Sequence, residues 1–461
     1  MFLVKKKEHE GMCRIHYHEM DETLRKEVKL QWLRETKLRD IPFELITPDE
    51  KNNWINLSES NFEELIPVAD KMVKLGKSNK ALFRSFSLGV VTNRDDWVYD
   101  FDKSSLVGKA EYFCSKYEAE KERWIKNESD ISLGDFVDRD IKWTTELEDH
   151  LKKGHSLKFR EEMIVPSIYR PFTNKYLYLD RIITHRLYQN LSIFGLKNRY
   201  SNICIAFSGP GSSKPFQVLV QNVVYSLDLL EKTQCLPLYW YEYGEKRDNI
   251  TDWGLAQFVN HYGDDTITKE AIFNYTYAVL HDPSYREKYK IDLKRDFPRL
   301  PFYTDFWHWV DLGKKLMELH LNFETVESFP LTEVTKKEEQ KREHGKLIPD
   351  DVDSGSLMAI QPKNKTRLSA DKLNGMIVLD DITTLTGVPK EAWDYKLGNR
   401  SALEWILDQY KEKKPKDQQL LKNLTLTDSQ ITKRVIDLLK RVTTVSVETM
   451  KIIEELSGIR Y

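Results

Sequence analysis

Cysteine is scarce in this sequence. Four residues in 461, Cys13, Cys114, Cys204 and Cys235, lie far apart and form no Cys-x-x-Cys pair. That spacing argues against a zinc module and suits free buried thiols in a reducing compartment. Long apolar runs are missing too, and no stretch approaches the ~20 apolar residues that a membrane-spanning helix needs. The opening Met1-Phe2-Leu3-Val4-Lys5-Lys6-Lys7 has no apolar core ahead of a small-residue cleavage site, so no secretion signal is read there. A cytoplasmic protein with no membrane partner is expected. Net charge is almost absent at −2. The surface as a whole is therefore no attractor for nucleic acid, and any such site must come from local clustering.

Catalytic signatures are equally sparse. The chain contains no Pro-Pro pair, hence no Asn/Asp-Pro-Pro-Tyr/Phe element of the kind that stacks on and bonds a flipped adenine. No Gly-rich cofactor loop follows a strand-like run, and no Gly-Lys-Ser/Thr phosphate loop is present. The nearest approach, Ser208-Gly209-Pro210-Gly211-Ser212-Ser213-Lys214-Pro215, has the wrong spacing. It reads as a turn between strands, with glycines supplying unusual backbone angles. Glu339-Gln340-Lys341 has the form of a nuclease Glu-x-Lys fragment, but it lies in a charged run where chance produces such tripeptides. His16 and His18 share one face of a strand-like stretch without a carboxylate or thiol to complete a metal site. No catalytic residue and no metal ligand is nominated.

What is present is an ordinary globular balance, 40% hydrophobic and 31% charged, on a chain long enough for two to four domains. Residues 12–19 alternate like a strand, and 22–38 read as a charged amphipathic helix carrying Val28, Leu30, Trp32 and Leu33. A mixed region follows, with strand-like Asn202–Phe207 and Pro237–Tyr241 and helical patterns at Lys269–Leu280 and Phe306–Leu321. The first of these helices runs into the stop signal His281-Asp282-Pro283-Ser284. Residues 332–350 are strongly charged and lack core periodicity. Beyond them come strand-like Met376–Leu379 and helical patterns near Ser401–Gln409 and Asp428–Leu439. The expected fold is α+β, a mixed domain at 41–331, a charged linker at 332–375 and a smaller α/β unit at 376–461, preceded by a distinct segment at 1–40.

One stretch departs from the even charge. Between Lys152 and Tyr200 ten basic residues face three acids, interleaved with Tyr169, Phe172, Tyr176, Tyr178, Tyr188, Phe194 and Tyr200. Cations with flat polar-edged rings beside them are what phosphate contact and base or sugar packing need. A solvated basic sheet face with its aromatics in the core has the same composition.

Several strings match landmarks of a known family in order. Ser87-Leu88-Gly89-Val90-Val91-Thr92-Asn93-Arg94-Asp95-Asp96-Trp97-Val98-Tyr99 resembles a Gly-Val-x-Thr-x-Arg-Asp-x-Trp-x-Tyr segment of the C-terminal specificity region of Type ISP (single-polypeptide) restriction-modification enzymes. Ile168-Tyr169-Arg170-Pro171-Phe172-Thr173-Asn174-Lys175-Tyr176 resembles its Tyr-Arg-Pro-Phe-Asp-x-Arg segment, with Thr173 for Asp and Lys175 for Arg. Phe273–His281, Tyr285–Tyr289, Asp296–Pro301 and Leu397–Trp405 follow in order, so the resemblance covers most of 40–460.

The resemblance implies sequence-specific recognition of double-stranded DNA. It implies an upstream adenine-N6 methyltransferase and helicase-nuclease, as domains or a separate subunit. Residues 1–40 then resemble the end of that methyltransferase domain, and 41–331 a target-recognition domain. S-adenosylmethionine, ATP and magnesium would belong to the upstream domains and no cofactor to this chain. Candidate DNA contacts are Asn93, Arg94, Arg170, Lys175, Arg181, Arg186, Lys197 and Arg199. Arg94 and Asp95 have a second reading, in which they pin a turn. The alternatives are a chain acting with a partner subunit as an adenine methyltransferase, or a scaffold left by a decayed restriction system.

Overall fold

The structure, a computed structural model, describes residues 13–20, 26–48, 61–127, 130–195, 199–335, 367–411 and 428–458, with Lys7, Leu24 and Trp54 singly. It divides into two compact units, 1–61 and 62–461. The fold class is α+β, as the sequence patterns indicate.

The first unit is small. Strand Ile15–Tyr17 pairs antiparallel with Glu44–Ile46, and helix Lys26–Glu35 lies between them in the chain. His18 stacks on Trp32, 5.1 Å between centroids. None of the described residues of this unit is buried.

Among the described residues, two of the second unit's three four-stranded sheets are built from residues 87–237. In one, Val224–Tyr225, Ile164–Arg170, Thr173–Tyr178 and Tyr99–Asp100 lie side by side, only the first pair being parallel. In the other, Ser87–Leu88, Gln234–Pro237, Cys204–Phe207 and Val218–Gln221 are all antiparallel. Strands such as Cys204–Phe207 and Val218–Gln221 are buried throughout, which is why they read as apolar runs rather than alternations. The turn expected at Ser208–Pro215 joins these two strands.

Helices close the cores because their ends are signalled locally. Asp102 caps the 23-residue helix Lys103–Ile125 by accepting from the Ser105 amide. Thr268 caps Lys269–His281, and Asp282 ends that helix while capping the next, Pro283–Lys288. Helix Phe306–Leu321 crosses Lys269–His281 at Gly313, where a Cβ would lie 2.0 Å from the Asn274 carbonyl oxygen. Only a missing side chain allows that approach.

The third sheet, Thr332–Thr335, Thr383–Thr386, Met376–Val378 and Ser369–Asp371, draws residues from the interval read as a linker and from the C-terminal unit alike. Residues 336–366, the charged centre of that interval, lie outside the described residues. One hydrophobic core runs from Val90 and Phe113 through Leu385 and Trp393 to Val445. Leu397, Leu403, Ile406 and Leu439 therefore share a core with the sheet around Val165.

Candidate nucleic-acid interface

The segment Ser87–Asp100 ties the two sheets together. Ser87 and Leu88 pair with Cys235 and Gln234, and Tyr99 and Asp100 pair with Leu177 and Tyr176. Between them Val90 N–H donates to Tyr225 O (2.8 Å), and Val91 exchanges 2.9 Å bonds with Arg186 in both directions. Gly89 is required by proximity: a Cβ there would stand 2.5 Å from the Ser226 carbonyl.

Arg94 belongs to this scaffold. Its side chain is 2 % exposed, and its guanidinium donates to Ile183 O and Thr144 Oγ1, both at 2.7 Å. Burial pushes its pKa down to about 10, opposed by nearby Glu146. A cation so enclosed does not reach a DNA backbone, so the candidate contact at Arg94 is corrected to a structural role. Asp95 accepts from Thr92 Oγ1 and from Tyr169 Oη, the latter at 2.8 Å. The turn-pinning reading therefore describes this pair, with neighbours rather than each other as partners.

Asn93 is exposed at φ +55°, a left-handed backbone that Asn tolerates. The Val91–Arg186 pairing and the Arg94–Ile183 bond set this turn beside the loop 181–186. Arg181 on that loop is exposed. Arg186 is exposed and leans on Glu146 at 3.5 Å, while His185 meets the other oxygen of the same carboxylate at 2.6 Å.

Arg170 and Lys175 flank the turn Pro171-Phe172, where Phe172 takes φ +53° and is wholly buried. Its ring packs edge-on against Phe323 and His320. The neighbouring cations both sit on Tyr169, Arg170 at 4.0 Å and Lys175 at 4.2 Å from the ring centroid, and Lys175 also lies 4.5 Å over Phe101. Arg170 donates to Tyr169 O and stands 4.0 Å from exposed Asp228. Burial brings the Lys175 ammonium down to about pKa 8, with Asp100 opposing and Lys109 assisting. Lys175 lines a cleft of about 240 Å³ together with Asn174, Gln221, Glu324 and Arg434.

Arg199 is exposed, 4.8 Å over the Tyr200 ring and bonded to its hydroxyl at 2.7 Å. Tyr200 in turn stacks on Tyr241, 4.0 Å apart and 6° from parallel. That contact joins Arg199 to the hairpin Tyr239–Glu242 and Glu245–Asp248. The sequence reading missed this hairpin as a surface feature, because Glu245–Asp248 is wholly charged and exposed and shows no alternation. Lys197 lies outside the described residues.

The Ser208–Pro215 loop forms an anion cradle that the chain fills itself. The amides of Ser213 and Lys214 and the hydroxyls of Ser212 and Ser213 all donate to the Glu231 carboxylate, at 2.6–3.2 Å. Those bonds hold the Glu231 pKa below the ordinary value although burial opposes them.

The described residues thus form an α+β scaffold that leaves Arg181, Arg186 and Arg199 exposed and closes the Ser208–Pro215 loop on Glu231. The chain belongs to the Type ISP C-terminal specificity domain family, whose model matches residues 81–438. Its fold is similar to that in the "cryoEM structure DrdV-DNA complex", with TM-score 0.83 and 41% identity over 96% of this chain and 43% of that one. It is also similar to a nuclease-deletion mutant of the Type ISP restriction-modification enzyme LlaGI in complex with a DNA substrate mimic, with TM-score 0.78 and 27% identity over 97% of this chain and 33% of that chain. The ATP-dependent Type ISP enzyme LlaBIII bound to DNA matches at TM-score 0.78 and 25% identity over 99% and 28% of the two chains. This chain thus spans less than half the length of each. No curated protein is significantly similar in sequence. No helix among the described residues is long and apolar enough to cross a membrane.

Proposed function

We propose that this chain recognises a specific sequence in duplex DNA, as the specificity region of a Type ISP restriction-modification enzyme. The observation that carries the reading is the likeness, over 96% of the chain at 41% identity, to a protein solved with DNA. Arg181, Arg186 and Arg199, all exposed, are the preferred phosphate contacts, with Asn93 at the turn beside loop 181–186, Lys175 at the cleft, and Arg170 on the same Tyr169 ring as Lys175. Lys197 stays in the set on its sequence position. Phosphate contacts position the protein; base contacts must supply the discrimination. Selection of the purified chain against random duplexes at physiological salt tests this. An enriched asymmetric motif of several base pairs supports it; salt-sensitive retention without a motif, or no retention, refutes it.

The first unit supports a second element of the same reading. Val28, Leu30 and Leu33 on the helix, with Leu38, Phe43 and Leu45, are all exposed, and the unit buries none of its described residues. So many exposed apolar side chains on so small a piece mark an interaction surface. We infer that it docks against an upstream adenine-N6 methyltransferase domain or subunit, which with a helicase-nuclease would supply the S-adenosylmethionine, ATP and magnesium chemistry. Co-purification with that partner, abolished by Leu33→Asp and Leu45→Asp together, is the expected result. An unaffected complex would remove the docking role.

A further inference from the structure

The hairpin Tyr239–Asp248 ends in an arrangement that folding alone does not explain. Its register, Tyr239 with Asp248 through Glu242 with Glu245, leaves a two-residue loop of Tyr243 and Gly244. Both have positive φ, +50° and +89°. Such loops favour Asn-Gly or Gly-Gly, because a side chain branching into a ring sits poorly in the left-handed region. Tyr243 adopts it nevertheless, and its side chain is completely exposed. The chain therefore holds an aromatic ring in a strained conformation and leaves its apolar surface in water. An outlier of that kind points to function.

The rest of the hairpin is fully engaged. Tyr241 stacks on Tyr200 and donates to Ser201 O at 2.9 Å. Tyr239 donates to Glu270 at 3.0 Å and lies 3.4 Å under the Lys246 ammonium. Glu242 and Glu245 both pair with Arg247, at 3.6 and 2.9 Å, and Asp248 pairs with Lys269 at 3.2 Å. Glu242 and Glu245 share Arg247, and Asp248 shares Lys269 with Asp252, so these acids are held in ion pairs without being fully neutralised, while exposed Arg199 stands at the base beside Tyr200. The result is an anchored two-stranded ribbon with a ring at its tip. The major groove of B-DNA, about 12 Å wide, admits a ribbon of that form and displays base edges and C5 methyl groups to it.

We propose that this hairpin enters the major groove of duplex DNA and that Tyr243 is a specificity-determining residue, its ring lying against the base edges. The inference rests on the reading of the chain as a duplex-recognition module. It assigns that module's discrimination to a segment outside the basic stretch 152–200, with Arg199 left to the flanking phosphate.

The test runs the full chain, Tyr243→Ala and Tyr243→Phe in parallel through the random-duplex selection, with affinity for a fixed unrelated duplex as a second readout. Tyr243 touches nothing, so Tyr243→Ala should unfold at the wild-type temperature. The expected result is relaxation of one or two adjacent motif positions and a loss of roughly tenfold in affinity for the selected site. Affinity for the unrelated duplex should hold, and Tyr243→Phe should behave as wild type. At the relaxed positions, uracil for thymine or 5-methylcytosine for cytosine should change wild-type affinity and leave Tyr243→Ala indifferent. An unchanged motif in Tyr243→Ala, an equal loss on both duplexes, or indifference of the wild type to both C5 changes would overturn the proposal. A wild-type chain that enriches no motif would sink the recognition reading itself, and this inference with it.

Discussion

Arg94 and Arg199 both lie beside aromatic rings in segments that the sequence marks as candidate DNA contacts, yet they are opposites in the structure. Arg94 is buried over the Phe113 ring and donates to Ile183 and Thr144. Arg199 stands in solvent on the Tyr200 ring at the root of a hairpin. The difference lies in what surrounds them. Segment 87–100 is paired into a sheet at both ends, so its polar groups must find internal partners. The hairpin 239–248 is open along one strand, so its charges pair with each other and its apolar tip is left over.

The contrast breaks most visibly inside the buried segment. Lys109 Nζ holds buried Asp100 at 2.7 Å and also bonds the carbonyls of Asp96 and Tyr99, each at 2.9 Å. Lys109→Met strands that carboxylate and is expected to lower unfolding free energy by about 3–5 kcal/mol in urea titration. Arg94→Met removes two bonds from a charged donor and should lose a similar amount, about 3–4 kcal/mol, with Arg94→Lys recovering only part because it lacks the fork. A loss below about 1 kcal/mol would mean that Arg94 does not pin this segment. Gly89→Ala drives a Cβ into the Ser226 backbone, which cannot swing aside as a side chain would. We expect about 3 kcal/mol, read from the same titration.

Lys175 falls between the two regimes, and pH separates them. Its folded pKa near 8 lies below the ordinary lysine value of 10.5, so the unfolded chain binds more protons between those limits. The burden of holding the ammonium in the fold is therefore complete below pH 8 and lifts as pH rises towards 10.5. Lys175→Met should gain on wild type at pH 7, and the gap should narrow above pH 8 and close only above about 10.5. Wild-type DNA affinity should fall as pH rises through 8, with a flatter profile in the variant; parallel profiles would show that this ammonium meets no phosphate.

At the exposed end, the expected effects on stability are smallest. Arg181→Ala and Arg199→Ala should each change stability by no more than about 0.5 kcal/mol. Each should weaken binding evenly across sequences and reduce the salt slope by about one. A change of motif with Arg199→Ala would move that residue from phosphate contact to base reading.

Much of the fold was legible in local signals. Thr268, Asp282-Pro283 and the Ser401/Glu404 capping box delimit helices at Lys269–His281, Pro283–Lys288 and Ala402–Tyr410 because capping is a near-neighbour event. Helix Lys103–Ile125 escaped notice since Lys109, Glu120 and Lys121 lie on its buried side, blurring the apolar stripe. Of the third sheet only the strand at Met376–Val378 was legible; the others escaped because they are short and Thr332–Thr335 opens a charged run. For the candidate site, charge and aromatic content located the basic stretch but not which cations face outward.

Order, composition and local stop signals along the chain were enough to specify an α+β protein, several of its helices and its family, since each depends on neighbours a few positions apart or on landmarks met in sequence. The fate of each cation was decided in three dimensions. Thr144 and Ile183, 50 and 89 positions from Arg94, make it structural, and Tyr200, 41 positions from Tyr241, carries Arg199 at the root of the hairpin. Burial and pairing are properties of the packed chain, so one arginine is enclosed with internal partners while the other stands in solvent.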